Sequence, residues 1–118
     1  MTQKKITAKS EIELQLLAKL QEQPNVSQRG LAVDLGISLG SVNFCLKALI
    51  AKGFVKAENF GKSDNKLGYA YLLTPSGIRA KAKMTALFLK RKQAEYHRLE
   101  EEIAELQAQV EQNERALH

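Results

Sequence analysis

Among the 118 residues there is one cysteine, Cys45, and there are two prolines, Pro24 and Pro75. A lone thiol excludes an internal disulfide, and no Cys/His cluster has the spacing that metal ligands require. Neither a metal nor a cofactor is expected, and His97 and His118 have no partner in sequence. No run approaches the roughly 18 apolar residues of a membrane span. Behind Met1 come Thr2, Gln3, Lys4 and Lys5 instead of an apolar stretch, which argues against a secretory signal. The expectation is a soluble cytoplasmic chain with no membrane partner. No nucleophile is paired with a base, so no catalytic residue is assigned and an enzyme is not expected.

What is present is basic and unevenly placed. The net charge is +5. Residues 1–98 hold 17 Lys and Arg against 7 Asp and Glu, a net of +10, whereas residues 99–118 hold one Arg against six Glu, a net of −5. A basic body attracts phosphate backbones and an acidic tail does not, so the two parts are expected to do different work. With 44% hydrophobic residues the composition is that of a globular protein, and the length suits one compact domain with an appendage.

The periodicity predicts a first helix, capped by Ser10, with Glu11 and Glu13 in its first turn and Ile12, Leu16, Leu17 and Leu20 recurring at helical spacing until Pro24 ends it. Ser27 opens a short second helix with Leu31, Ala32 and Leu35 on its apolar stripe and Gly36 at its end. Ser38 caps a third, with Val42, Leu46, Leu49 and Ile50 facing inward and Gly53 beyond it. The tight Gly36-Ile37-Ser38 connection is a helix-turn-helix layout, in which the second helix of the pair enters the major groove of duplex DNA. After Gly53 the period changes: residues 54–59 and 69–73 read as paired strands, and the basic, turn-rich stretch between them as a wing. The expected fold is mainly α with a small β-hairpin wing (α+β), a winged helix-turn-helix followed by a long C-terminal coiled-coil helix.

That helix starts at Thr74-Pro75, Thr as cap and Pro at the first helical position. Thereafter no proline occurs, and some 40 residues of helix would span about 60 Å. Ala82, Thr85, Leu89, Lys92, Tyr96, Leu99, Ile103, Leu106, Val110, Asn113 and Leu117 follow alternating steps of three and four. From Leu99 to Val110 the pattern is Leu at d with Ile103 and Val110 at a, the choice of two-stranded coils. Leu99, Ile103, Leu106 and Val110 are therefore the expected seam of a homodimer; a helix folded back on its own body is the alternative. Complementary charge favours an antiparallel pair, and closely spaced half-sites about 34 Å apart favour a parallel one. Lys92 breaks the seam, and Leu87, Phe88 and Leu89 suggest packing against the winged domain. The divisions are 1–9, a polar segment; 10–74, the winged domain; and 75–118, the pairing helix.

With Val42, Leu46 and Leu49 inward, the third helix exposes Leu39, Gly40, Ser41, Asn43, Phe44 and Lys47. Asn43 is the candidate base reader, because a carboxamide can bond bidentately to adenine. Ser41 and Lys47 suit phosphate contacts, Ser38 and Gly40 flank the close approach of backbone to phosphate at the helix N-terminus, and Gln28 and Arg29 suit the flanking backbone. Phe44 could meet a thymine methyl, although packing on a neighbouring element is favoured for it. Lys62 and Lys66 on the wing suit the adjacent minor groove. Cys45 is read first as an inert buried thiol and second as a redox switch.

Ser27-Gln28-Arg29-Gly30-Leu31-Ala32, Gly36-Ile37-Ser38, the run from Val42 through Leu46-Lys47-Ala48-Leu49 to Lys52-Gly53-Phe54-Val55, and Tyr71-Leu72-Leu73-Thr74-Pro75-Ser76-Gly77 together resemble the winged helix-turn-helix of MarR-type regulators. The short chain with a coiled-coil end looks most like the exopolysaccharide-associated branch. The resemblance implies a dimeric, DNA-binding transcriptional regulator, often a repressor. Only about nine residues precede the first helix, so pairing is expected to fall to the C-terminal helix; any small-molecule effector is left unassigned. A winged-helix adaptor that docks proteins is the alternative, and structured-RNA binding a third reading.

Overall fold

A computed structural model describes residues 8–59 and 69–118 of the chain. The elements run in the expected order: α1 (Ala8–Glu22), α2 (Gln28–Leu35), α3 (Leu39–Ala51), β1 (Val55–Asn59), β2 (Tyr69–Leu73) and α4 (Pro75–Leu117). Two compact units divide the chain, the first ending at Thr85 and the second comprising Ala86–His118. Among the described residues no single helix is long and apolar enough to cross a membrane.

The first unit closes on an aliphatic core. Leu16, Leu17 and Leu20 of α1, Leu31 of α2, and Val42, Leu46 and Leu49 of α3 are wholly or almost wholly buried. Each such side chain contributes about 1.5–3 kcal/mol when removed from water. Ile12, Ala32, Leu35, Ile37 and Met84 pack around them. Ile37, in the turn, thus anchors both neighbouring helices. Ile50 departs from its expected inward position and is exposed, because it lies a step beyond the stripe that Leu46 and Leu49 complete.

Local chemistry sets the helix boundaries. Ser27 caps α2 by accepting the Gly30 N–H at 2.9 Å, and Gly36 ends it in the left-handed region at φ 68°. Ser38 caps α3, its Oγ accepting the Ser41 N–H at 3.1 Å. The two helices are bent by 109° across this connection, within the range of helix-turn-helix pairs. Ser10, expected as the cap of α1, instead lies inside that helix, which already begins at Ala8. Glu13, read as a first-turn carboxylate, is one turn further in, buried and bonded to Lys52 at 2.8 Å.

β1 and β2 pair antiparallel, from Val55 opposite Leu73 to Asn59 opposite Tyr69. The Tyr71 N–H also donates to the Pro24 carbonyl at 3.2 Å, tying the hairpin to the α1–α2 connection. At the next junction Thr74 caps α4. Its Oγ1 accepts the Gly77 N–H at 3.0 Å and donates to the Gly53 carbonyl at 2.6 Å.

The second unit consists of α4 residues alone. Leu99, Ile103, Leu106 and Val110 are all exposed in the single chain, as are Tyr96 and Leu117. Leu87 and Phe88 are half-buried and Leu89 is exposed. Glu95 bonds Arg91 at 3.3 Å and Lys92 at 3.4 Å along the helix, and these cations, Lys92 foremost, hold its carboxyl below the usual range.

Candidate nucleic-acid interface

The caps and core that orient α3 leave one of its faces in solvent. Leu39, Gly40, Ser41, Phe44 and Lys47 are all exposed, as the inward set of Val42, Cys45, Leu46 and Leu49 requires. At the amino end, Ser38 is exposed and its hydroxyl also donates to the Ser41 hydroxyl at 2.9 Å. A β-carbon at Gly40 would meet nothing closer than the Ser38 Oγ at 4.0 Å, so the backbone here is openly approachable. Arg29 is exposed at the start of α2.

Asn43 differs from expectation. It is half-buried, and its Nδ2 donates to Gln28 Oε1 at 3.3 Å. Gln28, also half-buried, donates in turn from Nε2 to the Tyr71 hydroxyl at 2.9 Å. Three elements therefore share one polar chain: α3, α2 and β2. Sequence spacing could not reveal it, since 43 positions separate Gln28 from Tyr71. The only early signal is the Tyr69/Tyr71 alternation, which marks one face of a strand without naming what that face meets.

Phe44 is 65% exposed, so it does not pack on a neighbouring element as expected. Its ring instead lies under the Lys9 ammonium of α1, 5.7 Å from the centroid. Such a pairing at an exposed site is worth about 0.5–1 kcal/mol. An aromatic ring beside a cation can meet an apolar methyl next to a phosphate. Lys62 and Lys66 lie outside the described residues. Cys45 is buried beneath this face, and burial, followed by the nearby Glu13 carboxylate, pushes its thiol up, which suits the inert reading.

No cluster of three or more His, Cys, Asp or Glu side chains able to hold a metal occurs among the described residues. The surface instead combines hydroxyls, a carboxamide, cations and approachable backbone, the groups that bind phosphates and base edges.

Residues 9–56 match the family described as winged helix-turn-helix DNA-binding. No curated protein matches the chain. Among solved structures it is similar to the transcriptional regulator BldR from Sulfolobus solfataricus, at 20% identity and a TM-score of 0.61 over 69% of this chain and 56% of that one. It is similar to wild-type apo MarR from E. coli at 21% identity and 0.56, over 64% and 54%. It also resembles a mutant of ZitR from Lactococcus lactis at 21% and 0.59, over 84% and 63%. The fold is thus a winged helix-turn-helix, shared with these solved structures. The chain spans little more than half the length of the BldR and MarR structures.

Proposed function

We propose that this chain is a transcription regulator that recognises particular double-stranded DNA sites as a homodimer. One observation carries the reading: the exposed face of α3 presents Leu39, Gly40, Ser41, Phe44 and Lys47 together, with Asn43 and Gln28 at its edge. α3 enters the major groove, Asn43 reads a base edge, and Ser41, Lys47, Arg29 and the backbone at Ser38 and Gly40 position the helix on phosphates.

Pairing falls to the exposed stripe of Leu99, Ile103, Leu106 and Val110 on α4. Four large aliphatic side chains at heptad spacing form a continuous exposed apolar stripe, and a second copy covers it with the same residues. Repression, and exopolysaccharide genes as the target, are carried into this reading by the resemblance to that branch of MarR-type regulators alone.

Binding to genomic duplex fragments across a salt titration tests this. A regulator selects particular fragments over bulk DNA and loses affinity steeply with salt. Equal binding to every fragment at physiological salt overturns the site-specific reading and leaves a protein-docking adaptor. A chain lacking residues 99–118 should sediment as a monomer; an unchanged dimer rules out the α4 interface.

A further inference from the structure

A free carboxamide is an ambiguous reader of DNA. It carries two N–H donors and one carbonyl acceptor, and rotation about its last bond exchanges them. Facing adenine, it must donate to N7 and accept from the N6 amino group at once, which requires the carboxamide to lie in the plane of the base. Discrimination therefore requires something that holds the side chain in place.

Asn43 has such a restraint. One of its N–H groups is committed to Gln28 Oε1 at 3.3 Å, and Gln28 is held by its own donation to the Tyr71 hydroxyl at 2.9 Å. Tyr71 is only 8% exposed, sits in the core cluster, and is fixed through its backbone by the Pro24 carbonyl and by pairing with Ala57. The chain thus runs from a rigid anchor to the edge of the recognition surface. It holds the Asn43 carboxamide at the edge of the recognition surface and leaves its remaining polar positions for a base.

We propose that Tyr71 is a positioning residue for base recognition: through Gln28 it holds the Asn43 carboxamide where it can meet adenine with donor and acceptor together, and so sets specificity at a base it does not touch. This rests on the DNA-binding reading above. It adds that selectivity at one base pair is decided in the hairpin, by a hydroxyl on β2, as well as on the recognition helix.

The test is selection of bound sites from random duplexes by the full chain, followed by affinity measurements with adenine or guanine at each selected position. Wild type should favour adenine by tenfold or more at one base pair, and Asn43→Ala should abolish that preference. Tyr71→Phe should lower the adenine-over-guanine ratio at the same base pair about tenfold. Preferences elsewhere and the slope of affinity against salt should be unchanged, because phosphate contacts are untouched. Gln28→Met, which severs the same chain while leaving Tyr71 in the core, should reproduce the effect if Tyr71→Phe impairs folding. In combination with Asn43→Ala, Tyr71→Phe should have no further effect at that base pair.

An unchanged adenine-over-guanine ratio in both Tyr71→Phe and Gln28→Met overturns the proposal while leaving the regulator reading intact. So does a site preference that Asn43→Ala does not alter. If wild type prefers no site at all, the regulator reading and the positioning role fail together.

Discussion

Gly77 lies so close against Phe54 that a β-carbon on it would overlap the Phe54 carbonyl oxygen. That same carbonyl accepts the Thr74 N–H at 3.0 Å, so backbone and not a movable side chain occupies the space. The start of α4 is seated on the α3–β1 connection through this contact. Gly77→Ala should destabilise the winged unit by about 1–3 kcal/mol or more, the cost of overpacking, although alanine is the better helix former. Urea denaturation measures it; a midpoint that rises would show that the contact opens freely.

Glu13 and Lys52 form a second inter-element tie, 39 positions apart in sequence. The carboxylate is buried, while the lysine is partly exposed. Lys52→Met removes the charged partner of a carboxylate that has little water around it, and should cost about 1–3 kcal/mol. Replacing both residues with apolar side chains of similar size should restore much of the loss. Thermal unfolding of the single and double variants checks the coupling, and strict additivity would refute it.

Cys45 titrates above the ordinary thiol range because it is buried and because Glu13 is near. In the unfolded chain the thiol ionises first, so the folded state holds its proton longer. The stability associated with Cys45 is therefore complete below the ordinary thiol range and is lost as pH rises through the folded value. A thiol reagent at neutral pH should modify native protein slowly and urea-unfolded protein fast. Equal rates would show that the thiol is accessible in the fold.

Phe44 is mostly in solvent, so Phe44→Ala should alter stability by less than about 1 kcal/mol. On the proposed reading, the ring meets a thymine methyl while Lys9 lies near the backbone phosphates. Replacing the contacted thymine by uracil should weaken wild type several-fold and leave Phe44→Ala unaffected. Competition binding on the selected duplex decides this, and indifference of wild type to the methyl excludes the contact.

Leu106 is centrally placed in the exposed stripe of α4. On the proposed pairing, Leu106→Glu puts like charges into the seam and should give monomers in sedimentation, with the helical content of the winged unit kept. A dimer that survives the change requires another interface.

Much of this architecture was legible because it depends on neighbours in sequence. Ser27, Gly36, Ser38 and Thr74 act within a turn of helix, through hydrogen bonds that span a few residues. The alternation of Val55–Asn59 and Tyr69–Leu73 depends only on strand geometry. The exposed set on α3 followed from its inward stripe, with the exception of Asn43. Ser10 was misplaced because the helix already includes Ala8, and Glu13 is buried because it lies on the same helix face as Leu16, Leu17 and Leu20.

Sequence alone therefore determined the order of elements, the caps of α2, α3 and α4, the apolar stripe of α4 and the contrast between a basic body and an acidic end. These are properties of periodicity and charge, which short windows contain. Only tertiary structure decided that Asn43 is tied through Gln28 to Tyr71, that Glu13 is buried against Lys52, that Phe44 faces solvent under Lys9, and that Gly77 must lack a side chain. Each joins residues far apart in the chain, and their meeting depends on how the helices and the hairpin pack around Leu16, Leu31 and Leu46.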